Sequence, residues 1–567
     1  MTKGTSNALI DVSDFASSLN DAQQRAATCG VAPGSTEPSS PLLIIAGAGT
    51  GKTNTLAHRV AWLLLCGVPS ERIALMTFSR RAAIEMTRRV ERIVEATSVS
   101  ARRAGSARHV NPRHLWSGTF HSIGNRLLRQ YAASVGLDPA FSVIDRGDSV
   151  DLIDMIRQDQ GFAKKSRRFP RKETCLAIYS QKVNTGLSLK DTLESRYPWC
   201  AEWCDELNGL FREYVSIKQS QQCLDYDDLL IYWHVMLQEP QLAAQIGERF
   251  DHILVDEYQD TNRLQSEILM ALKPEGTGLC VVGDDAQSIY SFRAATVDNI
   301  LTFPQRFASA ANTVTLDQNY RSTQPILDAA NQLMAEGQQG FEKNLKANNQ
   351  GGQKPRYVTV GDLNDEADYV VEQVLARREE GTPLREQAVL MRKSSDSDLL
   401  EVELVRRNIP YAKYGGLKFL EAVHVKDVLA LLRFVDNPRN RLAGFRTLQL
   451  LPGIGPGTAD QCLDHLSNAQ HDLYALSSFA TPAATAEDWP DFVALLLSLA
   501  SSEAWSGQMT QVRTWYEPRI EQLHGAGDVR AGDIEQLEAM SEQYRSRDQF
   551  LVELTLDPPQ ATGDEAG

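Results

Sequence analysis

One glycine-rich octapeptide constrains this chain of 567 residues more than any other feature of its sequence. The segment Ala46-Gly47-Ala48-Gly49-Thr50-Gly51-Lys52-Thr53 follows an apolar run at 42–45 and precedes a helix-like stretch at 54–66. This order of strand, loop and helix predicts a loop that wraps phosphates with backbone N–H groups and a helix N-terminus. Lys52 places a positive charge in what we expect to be a solvated loop, and the Thr53 hydroxyl is suited to ligate Mg²⁺. The octapeptide therefore predicts binding of a nucleoside triphosphate.

Length and composition are typical of a multidomain protein without a membrane span. A chain this long should form several domains. Its hydrophobic content of 42% and charged content of 23% are ordinary. The first residues lack the apolar core of a signal peptide and the longest apolar runs are too short to cross a bilayer, which favours a cytoplasmic protein. The net charge of −15 excludes a generally basic surface but allows a local basic track for nucleic acid.

The eight cysteines are irregularly spaced, which is not the pattern of a disulfide framework. Cys200 and Cys204 lie one helical turn apart, so a metal or cluster site at this pair stays open. Because no second close pair accompanies them, buried thiols are the favoured interpretation.

Apolar runs that end abruptly in polar residues recur along the chain. They lie at 73–76, 253–255, 279–282 and 314–316, and helix-like stretches separate them. Alternating strands and helices predict an α/β fold with a parallel sheet. Ligands of such sheets bind at the carboxyl ends of the strands. We therefore expect the polar segments to converge on the glycine-rich loop.

An acidic pair, Asp256 and Glu257, directly follows one of these runs. In that position Asp256 is suited to hold Mg²⁺, often through water, and Glu257 to orient and deprotonate an attacking water. An acidic pair at a strand end is weak evidence alone. Downstream of a phosphate-binding loop it predicts a site of triphosphate hydrolysis.

The order of these motifs resembles that of the UvrD/PcrA/Rep-type superfamily-one DNA helicases. The loop matches the helicase form AGAGxGKT, and the resemblance extends over residues 19–556. The other matching segments are Leu19-Asn20-Asp21-Ala22-Gln23, Thr77-Phe78, Gly118-Thr119-Phe120-His121-Ser122, Leu224-Asp225-Tyr226-Asp227-Asp228, Val255-Asp256-Glu257-Tyr258-Gln259-Asp260, residues 282–293 and Asn319-Tyr320-Arg321-Ser322. The resemblance implies a P-loop NTPase with two RecA-like parallel-sheet domains, each with a mainly helical insertion, the second domain being incomplete.

The resemblance and the changes of pattern along the chain predict six segments. These are 15–141 and 223–312 for the two parts of the first RecA-like domain, 142–222 for its helical insertion, 313–425 for the N-terminal part of the second RecA-like domain, 426–556 for the second helical insertion, and 557–567 for a disordered tail. Two late family segments, like TxHxxKGLE and VAxTRA, are not found. We therefore expect a C-terminally truncated chain or a fragment that unwinds duplex DNA poorly by itself.

The resemblance also implies roles for single residues. In ATP binding, Gln23 reads the adenine edge and Tyr320 stacks on the base. The remaining ATP contacts are Ala46, Gly47, Ala48, Gly49, Thr50, Gly51, Lys52 and Thr53. The implied catalytic residues are Lys52, Glu257, Gln287 and Arg321, and the implied Mg²⁺ ligands are Thr53 and Asp256. Gln287 would link the γ-phosphate to the DNA track, and Arg321 would contact that phosphate from the second RecA-like domain.

A further set of residues is implied to bind DNA. Aromatic side chains would stack on bases of a single strand, which every base permits, and Thr119 and His121 would contact its backbone. The set comprises Phe78, Thr119, His121, Tyr290, Phe292 and Arg293. For each aromatic residue taken singly, core packing remains the alternative.

The activity implied by the resemblance is ATP-dependent translocation on single-stranded DNA, 3′ to 5′, with ATP and Mg²⁺. Single strands and single-strand–duplex junctions would be the partners, in DNA repair or replication, while protein partners stay unknown. Two alternatives stay open. One is a non-catalytic fragment that binds ATP and single-stranded DNA, and the other is the motor part of a helicase–nuclease.

Overall fold

The computed structural model describes residues 15–556 except for 16, 34, 36, 104–111, 163–167, 309, 338–339, 414–418, 503 and 525–526. The chain divides into two compact units, one up to Lys354 and one from Pro355 to Leu554. The tail predicted at 557–567 lies outside the described residues.

A six-stranded parallel sheet forms the centre of the first unit. The strands of the chain are β1 (Leu42–Ala46), β2 (Ile73–Thr77), β3 (Trp116–Thr119), β4 (Ser142–Val143), β5 (Cys223–Leu224), β6 (His252–Val255), β7 (Leu279–Gly283), β8 (Asn312–Leu316), β9 (Gln318–Thr323) and β10 (Lys346–Asn349). The large sheet has the order β3-β2-β6-β7-β1-β8, and all its neighbours are parallel. Every residue of β1, β2, β6 and β7 is buried, as expected for parallel strands covered on both faces. The predicted α/β class is confirmed.

Helices cover this sheet and form a separate group beside it. The helices of the first unit are α1 (Asp21–Thr28), α2 (Lys52–Cys66), α3 (Arg80–Arg103), α4 (Phe120–Tyr131), α5 (Arg146–Asp159), α6 (Lys172–Thr185), α7 (Leu189–Arg196), α8 (Cys204–Ser220), α9 (Tyr226–Met236), α10 (Pro240–Glu248), α11 (Arg263–Leu272), α12 (Asp298–Thr302) and α13 (Gln324–Ala335). Helices α5 to α8 enclose a core of their own. The chain leaves and returns at neighbouring points, because β4 and β5 pair with each other.

Some residues of the segments that match the helicase family cap the N-termini of helices. Asn20 and Gln23 form a capping box at the start of α1, in which each side chain binds the backbone amide of the other. Asp225 and Asp228 do the same for α9. Such boxes fix where a helix begins, so these segments position the elements around the site.

The strand β8 spans the predicted domain boundary at 312/313 and belongs to the sheet of the first unit. It pairs with β1 along its whole length as the sixth strand of the sheet. The chain then stays with the first unit to Lys354. Pairing with β1 satisfies backbone groups that would otherwise be exposed at a sheet edge. The predicted division into domains remains a prediction.

The second unit is helical in the residues that the structure describes. Its helices are α14 (Leu363–Glu379), α15 (Asp398–Arg406), α16 (Val423–Asp436), α17 (Arg441–Leu448), α18 (Pro456–Asn468), α19 (Trp489–Ser501), α20 (Gln508–His524), α21 (Gly527–Ser541) and α22 (Arg547–Leu556), of which the last reaches two residues past the unit. A small core joins α14 and α15, and a larger one joins the helices from α16 onward. No hydrogen-bonded strand occurs among the described residues between 355 and 413, so a second RecA-like sheet stays a prediction. Within the described ranges, no helix combines the length and apolarity that a bilayer crossing requires.

Candidate functional site

The glycine-rich loop has the backbone geometry that its sequence predicts. Gly49 and Gly51 have φ angles of 77° and 85°, in the left-handed region that glycine adopts at little cost. A Cβ atom on Gly47 would lie 2.6 Å from a methyl carbon of Leu345, so a larger residue there would require the leucine side chain to shift. Helix α2 begins at Lys52 with Gly51 as its N-cap, which has no side chain to bind the first amides. Those N–H groups are available to an anion.

The Lys52 side chain is buried, although the sequence predicted a charge in a solvated loop. Only 8% of the residue is exposed, and its Nζ donates to Glu257 Oε2 at 2.8 Å. Glu257 also accepts a hydrogen bond from Gln259 Nε2 at 2.8 Å. It stands just after β6 with a left-handed φ of 49°, which is unusual for a residue with a side chain. The tertiary fold therefore brings together a predicted phosphate ligand and a predicted base.

Two carboxyl groups near Glu257 have raised pKa values. Burial and the neighbouring Glu257 charge raise the pKa of Asp256 to about 7. The same two causes raise the pKa of Asp260 to about 7. A nearby cation favours the ionised form of a buried carboxyl group that lies beside other negative charges. The acidic end of β6 is therefore electrostatically suited to a divalent cation.

The available ligand atoms fit Mg²⁺, which needs few protein ligands, better than a metal ion whose ligands all come from the protein. Asp256 offers a carboxylate and the partly buried Thr53 a hydroxyl, and hard oxygen ligands are what Mg²⁺ prefers. Among the described residues, no group of three or more His, Cys, Asp or Glu side chains could hold a metal ion. That finding includes Cys200 and Cys204. Mg²⁺ commonly uses one or two protein oxygens together with phosphate oxygens, as this site would allow.

The segment after β8 lies directly against the loop. Asn319 Nδ2 donates to the carbonyl of Ala48 at 2.5 Å, and the Tyr320 amide donates to the carbonyl of Gly49 at 2.9 Å. A Cβ atom on Gly49 would lie 2.6 Å from Arg321 Cβ. Tyr320 and Arg321 thus lie at the loop within the first compact unit. The assignment of Arg321 to a second RecA-like domain remains a prediction.

Gln23 lies beside the loop but both polar ends of its amide have protein partners. Its Nε2 donates to the Thr50 carbonyl at 2.9 Å, and its Oε1 accepts from the Asn20 amide at 3.0 Å. Asn20 Nδ2 in turn donates to the Tyr320 hydroxyl at 2.8 Å, and 43% of Tyr320 is exposed. Sequence reasoning missed Asn20. Its position one residue before α1 could have indicated it, because the hydrogen bond of an N-cap side chain to a backbone amide holds that side chain in one orientation.

A chain of hydrogen bonds runs from Glu257 to the polar end of β7. Gln259 donates to Glu257, and its Oε1 accepts from the Asp284 amide at 3.0 Å. Asp284 accepts from Gln287 Nε2 at 2.6 Å. Two hydrogen-bonded residues, Gln259 and Asp284, therefore connect the predicted coupling residue Gln287 to the predicted base.

An aromatic platform is formed by Phe78 together with three residues that follow Gln287, namely Tyr290, Phe292 and Arg293. The rings of Phe78 and Tyr290 stack with centroids 4.8 Å apart, and those of Tyr290 and Phe292 are 5.8 Å apart. Phe78 is 43% exposed and Phe292 69% exposed, so neither is a core residue. The Arg293 guanidinium carbon lies 5.4 Å and 5.7 Å from the two nearest ring centroids. The platform offers aromatic faces together with a positive charge.

The two other predicted DNA contacts have local structural partners. Thr119 caps α4, because its Oγ1 accepts from the Ser122 amide at 3.2 Å. The His121 ring meets the edge of Tyr226 at 5.8 Å. Burial lowers the pKa of His121 to about 4, so this imidazole is neutral near pH 7.

A glycine loop that ends in a helix N-terminus, with its lysine paired to a carboxylate at the end of a parallel strand, defines a P-loop nucleoside-triphosphatase fold. The chain belongs to the UvrD/REP helicase family. The family's N-terminal helicase domain matches residues 19–308, and the UvrD-like helicase C-terminal domain matches residues 314–547. The family predicted from the sequence motifs is confirmed.

Curated relatives agree with this assignment. The chain is 34% identical to DNA helicase II of Haemophilus influenzae over 484 residues, which is 85% of this chain and 62% of that relative. It is 34% identical to the ATP-dependent DNA helicase PcrA of Staphylococcus epidermidis over 424 residues, 74% of this chain and 55% of the relative. Its identity to DNA helicase II of Escherichia coli is 31% over 567 residues, 96% of this chain and 74% of the relative. The chain thus spans about three fifths of the length of the first two relatives.

Proposed function

We propose that this chain hydrolyses ATP with Mg²⁺ and uses the reaction to move along single-stranded DNA, 3′ to 5′. The observation that carries the proposal is the hydrogen-bonded chain from Lys52 and Glu257 through Gln259 to Asp284 and Gln287. It joins the phosphate loop to the segment that bears the exposed aromatic platform. Action at single-strand–duplex junctions, in cytoplasmic DNA repair or replication, belongs to the same proposal.

In this proposal, the side chains of the loop and of β6 divide the chemistry. The loop amides and Lys52 bind the phosphates, and Tyr320 stacks on the base. Mg²⁺ held by Thr53 and Asp256 would neutralise phosphate charge. Glu257 orients a water molecule and accepts its proton while the water oxygen attacks the γ-phosphorus and the bond to ADP breaks. Arg321, which lies beside Gly49 of the loop, and Gln287, which is joined to Glu257 through Gln259 and Asp284, would respond to the loss of the γ-phosphate.

The proposal is tested by measuring ATP turnover of the 567-residue chain with and without an oligo(dT) single strand. Turnover that rises with oligo(dT) supports a DNA-driven ATPase, and directional displacement of a blocked DNA end supports translocation. Binding of both ligands without any turnover would instead establish the non-catalytic alternative. Strand displacement on a duplex with a 3′ tail measures unwinding separately.

The Phe292→Ala protein is expected to bind oligo(dT) more weakly by about 1–3 kcal/mol, the contribution of one stacked base. The ring is 69% exposed, so its removal leaves no cavity in the core. Fluorescence anisotropy at one fixed salt concentration measures the change. Tyr474→Ala is the matched control, since Tyr474 is a 68% exposed aromatic residue in the helical second unit. Unchanged affinity of the Phe292 variant would remove this ring from the DNA site.

A further inference from the structure

A short segment, residues 340–345, touches both the phosphate loop and the polar end of β7. We call it the 340–345 strap. At its far end Leu345 packs over Gly47, to which a Cβ could not be added without meeting the leucine at 2.6 Å. At its near end the Phe341 amide donates to Asp285 Oδ2 at 3.2 Å. The strap thus lies on the two elements that the proposed function requires to communicate.

Lys343 is the charged centre of the strap. Its Nζ forms ion pairs with both Asp284 and Asp285, and its side chain is only 7% exposed. Both carboxylates are 4% exposed, so this is a buried triad and not a surface pair. Buried charges are costly unless they are paired, which makes the arrangement sensitive to the loss of any member. None of the motifs recognised in the sequence includes Lys343.

The triad holds the residues that follow it in one arrangement. Asp284 also accepts from Gln287 Nε2, and its own amide donates to Gln259, which binds Glu257. Tyr290, one of the residues of the aromatic platform, lies three residues after Gln287. A cation that fixes Asp284 and Asp285 therefore fixes the start of the turn that carries Gln287 and, beyond it, the platform.

A side chain on α13 anchors the strap through hydrogen bonds to the strap's backbone. The Asn331 side chain on α13 accepts from the Leu345 amide and donates to the Leu345 carbonyl, both at 3.0 Å. Lys346 then starts β10, which pairs with β9 next to Tyr320 and Arg321. Movement of the phosphate loop or of β9 would therefore be transmitted to Lys343 through a short, hydrogen-bonded stretch of chain.

We propose that Lys343 is a positioning residue that couples the nucleotide site to the DNA platform by holding Asp284 and Asp285 on the 340–345 strap. This inference rests on the proposed function, because it concerns how ATP and DNA binding influence each other. Lys343 does not touch the reacting atoms. Its effect is exerted through Asp284, Gln259 and Gln287.

The test measures how much a non-hydrolysable ATP analogue with Mg²⁺ changes the affinity for labelled oligo(dT). In the parent chain we expect the analogue to change this affinity by at least about fivefold, at the lower end of typical coupling between two sites. In Lys343→Met we expect the ratio of oligo(dT) affinities with and without the analogue to fall within about twofold of one. The DNA stimulation of ATP turnover should fall in parallel.

Three further variants separate coupling from damage to the fold. Lys346→Met is the matched control, since Lys346 is an exposed lysine three residues further along, at the start of β10. Lys343→Arg should restore part of the coupling because it keeps the positive charge. Asp285→Asn tests the same triad from the other side with a smaller change, and should also reduce coupling. Thermal melting of each variant shows whether it is folded.

The outcomes distinguish this inference from the proposed function. A parent chain that binds neither ATP nor oligo(dT) contradicts the proposed function itself. A parent that binds both without mutual influence overturns the inference alone. So does a folded Lys343→Met protein with parent-like coupling, or a variant whose two separate affinities fall while the coupling factor stays the same.

Discussion

Replacing Lys52 by alanine is expected to lower ATP turnover by about 10³-fold or more, because the charge that we propose contacts the transferred phosphate is lost. Lys52 is the first residue of α2 and points to Glu257 at 2.8 Å, where the phosphate end of a nucleotide would be bound. The fold should survive. Glu257 keeps its hydrogen bond from Gln259, and its side chain is 30% exposed, so water can solvate it.

Turnover is measured with saturating oligo(dT), and folding by thermal melting, with the midpoint expected to stay within about 3 °C. Lys190→Ala is the control, since Lys190 is a 75% exposed lysine in the helical group beside the sheet. Turnover at the parent rate in the Lys52 variant would mean that another loop binds the nucleotide.

Replacing Glu257 by glutamine is expected to lower turnover by about 10²-fold or more while ATP still binds, because the amide cannot accept a proton from water. Glutamine keeps the size of the side chain and an oxygen for the bonds from Lys52 and Gln259. The expected signature is a fall in kcat with little change in the affinity for ATP. This differs from Lys52→Ala, which should weaken phosphate binding as well.

Single-turnover hydrolysis and nucleotide binding are measured on the same preparation. Glu213→Gln, an exposed residue of α8, serves as the matched control. If Glu257→Gln hydrolyses ATP as fast as an active parent, the water must be activated elsewhere. Asp260, whose pKa burial and the Glu257 charge raise to about 7, is then the residue to replace next.

The sequence by itself determined the class of fold and the family. The glycine loop needed only its own residues and the flanking strand and helix to be recognised, since left-handed glycines and a helix N-terminus are local features. The strand-to-acid transition at Asp256 and Glu257 is local too. The motif order was enough to predict the family, which the matches to residues 19–308 and 314–547 confirm.

The tertiary structure decided which of these residues meet and what surrounds them. Lys52 and Glu257 are 205 positions apart, and Asn20 and Tyr320 are 300 apart, so no local pattern encodes their contacts. The burial of Lys52, the raised pKa of Asp256 and the placement of β8 in the first sheet arise from packing between distant segments. Lys343 is the clearest case, because a lysine in a loop-like stretch has no distinguishing signal until the fold places it between two buried carboxylates. Local geometry follows from neighbours in sequence, whereas burial, charge pairing and pKa depend on neighbours in space.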